Sequence, residues 1–427
     1  MVAEEFITSI CGPPLSSNTA IAKDVGIYTH SLWPSFAAKS TLKKSATPIH
    51  CLAVSETHVF AAQHERAYIH VYSRLRGNQE AFVAFPERIR CIALAGCVLV
   101  IGTVEGRIML WETRTGRLVS LPASHVQAVS CLAVAPYHLL TGSDDSNVHV
   151  WSLAQLLELD STEEREPTVS FSNHRGAITA LTVSPGNNPE TSLCVSASKD
   201  KTCIIWNYHS GQVLRTLLFS SFPTCLSLDP ALRGVFASTK DGSIFSVDFF
   251  GPNPLLGPKS EEASTVVQVS TPFCTSPTES GPASCLALTH DGTVLLSGHP
   301  KGQIHVWTIT DRSANSGPKE LTNLNAAVTN ILFTSPLSAA APATKALTVV
   351  KPSQAQRAYN FSAQFEADLT PETRFRQTVK APGFAGDTLD EVIAAFLHPA
   401  EADSDDPTVQ KGVQQQYEIL NQFTATR

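Results

Sequence analysis

The chain has 427 residues, of which 43% are hydrophobic and 16% charged, and its formal net charge is −7 at pH 7. Seven acids and no Lys or Arg fall between Ala381 and Gln410, so the remainder is near neutral, which does not argue for tight nonspecific nucleic-acid binding, since that needs clustered Lys and Arg. No run reaches the about 18–20 apolar residues that span a bilayer, the stretch Met1 to Cys11 lacks the basic start of a secretory leader, and the ten cysteines contain no CxxC pair, so buried thiols in a reducing compartment are expected, with no membrane partner, no disulfide framework and no metal site.

The N-terminal region offers strands without a partner at Phe6 to Ile10, Ala20 to His30 and Thr41 to Lys44, with Gly26-Ile27-Tyr28 resembling a degenerate third strand of a repeat. A repeat then begins. Each copy opens on a Cys–apolar–small–apolar tetrad: Cys51 to Val54, Cys91 to Leu94, Cys131 to Val134, Cys225 to Leu228 and Cys285 to Leu288, with Ala180 to Val183 as a sixth copy that replaces Cys by Ala. Small first and third residues suit an innermost strand crowded around an axis. A second run with turn signals follows, as in His138 to Ser143, Leu193 to Ser198 and Val294 to Gly298. Each copy then reaches a third strand ending on an aromatic or apolar anchor. The anchors are Tyr72, Trp111, Trp151, Trp206, Val247 and Trp307, spaced 39, 40, 55, 41 and 60 residues apart. A fourth strand follows, as at Gly116 to Leu121 and Gly211 to Phe219. Four antiparallel strands per ~40 residues match the period of one WD40 propeller blade, and the two long gaps imply insertions.

Two copies carry the side-chain set often found in that repeat: His125, Thr141, Asp145 and Trp151, and His174, Ser196, Asp200 and Trp206, with Asp six residues before Trp and the hydroxyl four before Asp. A buried carboxylate needs a partner and an indole N–H needs an acceptor, so these sets are read as structural networks. A hydrolase triad is the competing reading, disfavoured because the set occurs twice at blade spacing. Ile101 and Glu105, Ala237 and Asp241, and Ser297 and Lys301 stand at the matching places elsewhere, and those blades are expected to be held by apolar packing alone.

Three segments break the period. Ser152 to Asp160 is helix-prone, with Ser152 placed to cap it, and the insertion is bounded at 152–173. Residues 251–284 are rich in Pro and Ser and read as a partly mobile loop. Residues 327–333 resemble one more innermost strand without a following Trp, so the N-terminal strands are expected to complete a seventh blade and close the ring, although 346–350 compete for its second-strand slot. The expectation is an all-β, seven-bladed WD40 β-propeller over 1–350, followed by a partly disordered C-terminal extension over 351–427. That extension contains helical stripes near 388–398 (Leu389, Val392, Ile393, Phe396) and 408–423 (Val413, Tyr417, Leu420), which are candidates for a partner groove or self-association. Arg88, Arg90, Arg114 and Arg117 are candidates for a rim that touches RNA phosphates or a partner. No P-loop, nucleophile elbow, HExxH or dinucleotide fingerprint is present, and neither catalysis nor a cofactor is expected.

The run Glu105-Gly-Arg-Ile-Met-Leu-Trp-Glu-Thr, then Gly116-Arg-Leu-Val-Ser, Ser124-His-Val-Gln-Ala-Val-Ser-Cys-Leu and Leu140-Thr-Gly-Ser-Asp-Asp-Ser-Asn-Val-His-Val-Trp-Ser-Leu, with the Leu-rich insertion after Trp151, resembles a ribosome-assembly family. Its members are WD40 subunits of the nuclear complex that matures the large ribosomal subunit and processes the second internal transcribed spacer of pre-rRNA. The resemblance covers about residues 40–310. It implies a scaffold in the nucleoplasm and nucleolus that binds a large helical-repeat protein and a third subunit, sits on the pre-large-subunit particle, and helps recruit the midasin-type AAA+ ATPase. An RNA-contacting propeller and a substrate-recognition adaptor of another intracellular complex are the alternatives.

Overall fold

The computed structural model describes residues 4–15, 25–122, 124–159, 165–186, 188–250, 254–256, 266–309, 318–336 and 348–352. The tetrads become the innermost strands of six sheets: Leu52–Val54, Ile89–Ala95, Val129–Val134, Ile178–Val183, Pro223–Leu228 and Cys285–Leu288. The sheets that hold them are blades one to six. The seventh is assembled from both ends of the described chain: Ala327–Thr334 is innermost, followed by Glu4–Cys11, Val25–Trp33 and Ala37–Lys43. Register is fixed by pairs such as Phe6↔Phe333 and Ile7↔Leu332. The slot contested by 346–350 is therefore filled by Glu4–Cys11, whose residues Glu5 to Ile10 are all buried and which pairs along its length with Ala327–Thr334 on one side and Val25–Trp33 on the other.

Second strands such as Val98–Thr103 and Leu193–Ser198 are buried at every position. Each sheet is covered on both faces by its neighbours, so continuous apolar runs replace the alternation of a half-exposed strand. The core consists of seven clusters, one per junction. One joins Phe60 and Val71 of blade one to Leu99, Met109 and Trp111 of blade two. Another joins Ile7 and Ile27 of blade seven to Leu52, Val59 and Tyr72 of blade one.

The axis carries a second system of contacts. In six of the seven blades, the start of the innermost strand hands a hydroxyl or thiol to a carbonyl near the start of the next one, whereas Ser130 of blade three donates to Gly142 O of its own sheet. Cys51 Sγ donates to Arg90 O at 3.2 Å and Cys91 Sγ to Val129 O at 3.2 Å. Thr179 donates to Pro223 O at 2.7 Å, Thr224 to Ala283 O at 3.2 Å, Ser284 to Val328 O, and Thr329 to Thr47 O at 2.6 Å. The tetrad cysteines thus do slightly more than fill space. Burial pushes the thiols of Cys51, Cys131 and Cys225 up to about 12, which keeps them protonated and unreactive.

Both insertions are more structured than the sequence suggests. The segment after Trp151 forms a helix at Leu153–Leu157, but Ser152 makes no side-chain cap bond. Burial of Leu153 and Leu156 holds this turn, together with Arg117, which donates to the carbonyls of Leu157 at 2.7 Å and Glu158 at 2.8 Å. The same insertion supplies Val169–Phe171, the fourth strand of blade three. Of the 251–284 loop, Val266–Gln268 adds in parallel to Gln212–Leu218 as a fifth strand of blade four, and Cys274–Thr275 is the fourth strand of blade five.

Candidate functional site: buried networks and blade ends

The structure brings the residues of each predicted set within hydrogen-bond distance of one another. In blade three, Trp151 Nε1 donates to Thr141 Oγ1 at 3.1 Å, Thr141 Oγ1 lies 2.8 Å from His125 Nε2, and His125 Nδ1 lies 3.1 Å from Asp145 Oδ2. In blade four the corresponding distances are 2.8 Å (Trp206 to Ser196), 2.8 Å (Ser196 to His174) and 3.0 Å (His174 to Asp200). One proton arrangement satisfies every atom. A carboxylate only accepts, so the histidine Nδ1 carries hydrogen, its Nε2 accepts from the hydroxyl, and the hydroxyl oxygen accepts from the indole. Asp145 also receives the amides of Val126 and Asn147. Burial by itself would raise its pKa. The bond from His125 and these amides outweigh burial and bring the carboxyl down to about 2. The hydroxyls of Thr141 and Ser196 are wholly buried and already bonded on both sides, so the sets join loop to strands and do not present a nucleophile.

The expectation of apolar packing alone in the other blades is wrong for two of them. In blade six Trp307 Nε1 donates to Ser297 Oγ at 2.8 Å, and Ser297 lies 2.9 Å from His299 Nε2. His299 Nδ1 faces the carbonyl of Gly281 at 2.9 Å instead of a carboxylate. Burial, only partly opposed by that carbonyl, brings His299 down to about 4. The hydroxyl ten residues before the Trp was the available signal, since it recurs in blades three, four and six. In blade two, Ile101 stands at that place, and Trp111 Nε1 donates instead to the backbone carbonyl of Val350 at 3.0 Å.

The four arginines do not make one rim. Strand register places Ile89 and Ile108 at one end of blade two, beside Gly102 and Thr103, and Ala95 and Glu112 at the other, beside Val98. Arg88 and Arg90 therefore sit a strand length from Arg114 and Arg117. Arg88 and Arg90 are exposed. Arg117 is spent internally, bonded to Glu112 at 3.0 Å as well as to the helix carbonyls, with 12% of its side chain exposed, and Arg114 lies beside the blade-one junction near Thr57, Cys97 and Val349. The tail candidates Leu389, Val392, Ile393, Phe396, Val413, Tyr417 and Leu420 lie outside the described residues. Among the described residues no helix is long and apolar enough to cross a membrane.

The family described as WD domain, G-beta repeat, matches residues 116–152 and 165–207, the third and fourth repeats. The chain is similar to the Pre-rRNA-processing protein IPI3 of Yarrowia lipolytica, 31% identical over 266 residues, covering 61% of this chain and 62% of that protein. It is similar to the Pre-rRNA-processing protein crb3/ipi3 of Schizosaccharomyces pombe at 25% identity, covering 64% and 67%, and to WD repeat-containing protein 18 of Homo sapiens at 28%, covering 60% and 58%. The matched part thus spans about three-fifths to two-thirds of these relatives. A chain of the Mitotic Checkpoint Complex crystal structure superposes with a TM-score of 0.53 at 18% identity over 67% of this chain and 82% of that one, a likeness of fold alone. Seven four-strand blades, the His–hydroxyl–Trp networks and these matches together make the chain a seven-bladed WD40-repeat β-propeller akin to the IPI3 and WD repeat-containing protein 18 proteins.

Proposed function

We propose that the chain is a non-catalytic scaffold subunit of a ribosome-biogenesis complex, required for pre-rRNA processing and for maturation and nuclear export of the large ribosomal subunit. The observation that carries this reading is the 31% identity over 266 residues to a protein named for pre-rRNA processing. The chemistry of the propeller agrees with it: the hydroxyl–histidine–carboxylate sets are buried and fully bonded, and the tetrad thiols are held protonated. What remains for function is surface, at the loop ends and outer strands of the blades. On this reading the partners are a large helical-repeat protein, a third subunit, the pre-large-subunit particle and a midasin-type AAA+ ATPase, the site of action is the nucleoplasm and nucleolus, and the C-terminal stripes serve a partner or self-association.

The test is depletion of the protein in its own cells, with pre-rRNA probed by hybridisation and the tagged chain affinity-purified. Precursors that retain the second internal transcribed spacer should accumulate, and large-subunit assembly intermediates should co-purify. Unchanged precursor ratios together with a partner set unconnected to ribosome assembly would overturn the proposal.

A further inference from the structure

We propose that the cleft between blades one and two is a docking slot for an extended peptide, and that the chain's own residues 348–352 (Thr-Val-Val-Lys-Pro) occupy it as a tethered, exchangeable ligand. The slot lies at the Glu112 end of blade two, opposite the end that carries Arg88 and Arg90. Both backbone groups of one residue are read there. Val350 N–H donates to Thr113 O at 2.9 Å, and Val350 O accepts from Trp111 Nε1 at 3.0 Å. Beside it, Val349 packs on the cluster that contains Phe60, Leu99 and Trp111.

Three features of the receptor fit this use. Trp111 has no internal hydroxyl to bond, because Ile101 replaces the Thr or Ser that serves Trp151, Trp206 and Trp307. A buried indole N–H left without an acceptor is costly, so blade two is built with a donor that only an added segment satisfies. Gly116, at φ +76, lets the segment pass close over the turn: a Cβ there would meet Lys351 O at 2.7 Å and Val350 Cγ1 at 2.8 Å. Ser55, Thr57, His58, Gly96, Cys97 and Arg114 line the space next to Thr348 and Val349.

The ligand side fits as well. Trp111 is fully buried, yet no residue of 348–352 is, and Thr348 and Lys351 are exposed. The segment can therefore leave without opening the ring. The readout is mostly backbone with one apolar side chain, the pattern of extended-peptide recognition at a sheet margin. Tethering raises the effective concentration of the resident segment over any competitor, which makes the slot closed at rest and available when the strap is released.

The experiment uses the full chain and a fluorescent peptide of residues 344–356. The wild type should bind the peptide at least tenfold more weakly than Val349→Asp or Val350→Pro, which dislodge the resident strap at half-buried positions outside the seven sheets. Adding Trp111→Phe to either variant should weaken peptide capture, because the ring remains and the N–H is lost. Hydrogen exchange on the unmodified chain should show the Val350 amide protected. An amide exchanging at the free-peptide rate, folded variants that fail to capture the peptide, or capture indifferent to Trp111→Phe would each overturn the proposal.

Discussion

Replacing Thr141 by Val tests whether the hydroxyl is the keystone of blade three. The side chains are nearly the same size, so the change leaves no cavity and isolates the oxygen. That oxygen is 3.1 Å from Trp151 Nε1 and 2.8 Å from His125 Nε2, and Thr141 is fully buried. Two buried polar groups lose a partner, each costing about 1–3 kcal/mol. The hydroxyl no longer has to be desolvated, which returns ~1 kcal/mol or more. The net expectation is a loss of about 2–4 kcal/mol in equilibrium urea unfolding followed by tryptophan fluorescence. Thr141→Ser keeps the oxygen and should cost only ~1 kcal/mol for its lost methyl. In a Trp151→Phe background the donor is gone, so Thr141→Val should cost about 1–2 kcal/mol less than in the wild type. A Thr141→Val protein within ~0.5 kcal/mol of wild type, or a Ser variant as damaged as the Val variant, would refute the assignment.

Stability should fall as pH drops from 6.5 toward 4. Burial depresses His30 and His299 from 6.5 to about 4, so the unfolded chain binds more protons than the folded one across that window, and the stabilising contribution is complete only above it. The drop corresponds to about 3 kcal/mol per histidine, and urea midpoints that do not move between pH 7.5 and 5 would contradict it. Arg117→Ala should release the carbonyls of Leu157 and Glu158, so amide exchange should quicken at Leu153–Leu157 while the inner strand Ile89–Ala95 keeps its protection. An alkylating agent should mark the exposed Cys97 first and leave Cys51, Cys91, Cys131, Cys194, Cys203, Cys225 and Cys285 unmarked until the chain unfolds. Peptide mapping that finds Cys51 modified in the folded protein would show that the axial contacts open.

The ring was legible because its period is written in residues that only one environment tolerates. The small tetrads mark the crowded axis and the Trp anchors mark the third strands. The closing blade could be read from Gly26-Ile27-Tyr28, since Ile27 and Tyr28 are buried on the strand that pairs with Glu4–Cys11. The short outer strands could not be read. Val169–Phe171, Val266–Gln268 and Cys274–Thr275 have two or three residues each, too few for a period, and their pairing is set by the edge they meet. Blade six was misjudged because its histidine comes from the strand end at 299 and not from the preceding loop, with a carbonyl replacing the aspartate. The arginines were misgrouped because adjacency in sequence hides which end of a sheet a residue occupies. The run 346–350 could be read as a strand candidate, but not the pairing of Val350 with blade two: its part there is played by backbone atoms, which every residue possesses.

The indole N–H of each WD-type anchor must find an acceptor, and where that acceptor comes from decides what the blade depends on. In blades three, four and six it comes from a neighbouring strand ten residues earlier, so the lock lies within one sheet. In blade two it comes from a residue 239 positions away that belongs to none of the sheets. The core around Trp111, including Phe60 and Phe85 in edge-on contact with it, is therefore coupled to a segment beyond the last propeller strand. A boundary drawn at 350 cuts through this arrangement, because Lys351 O is also seated over Gly116. A chain ended before 348 should have a weakened blade two and an open slot, whereas one ended after 352 keeps the strap, so comparing the two separates the role of the strap from that of everything beyond it.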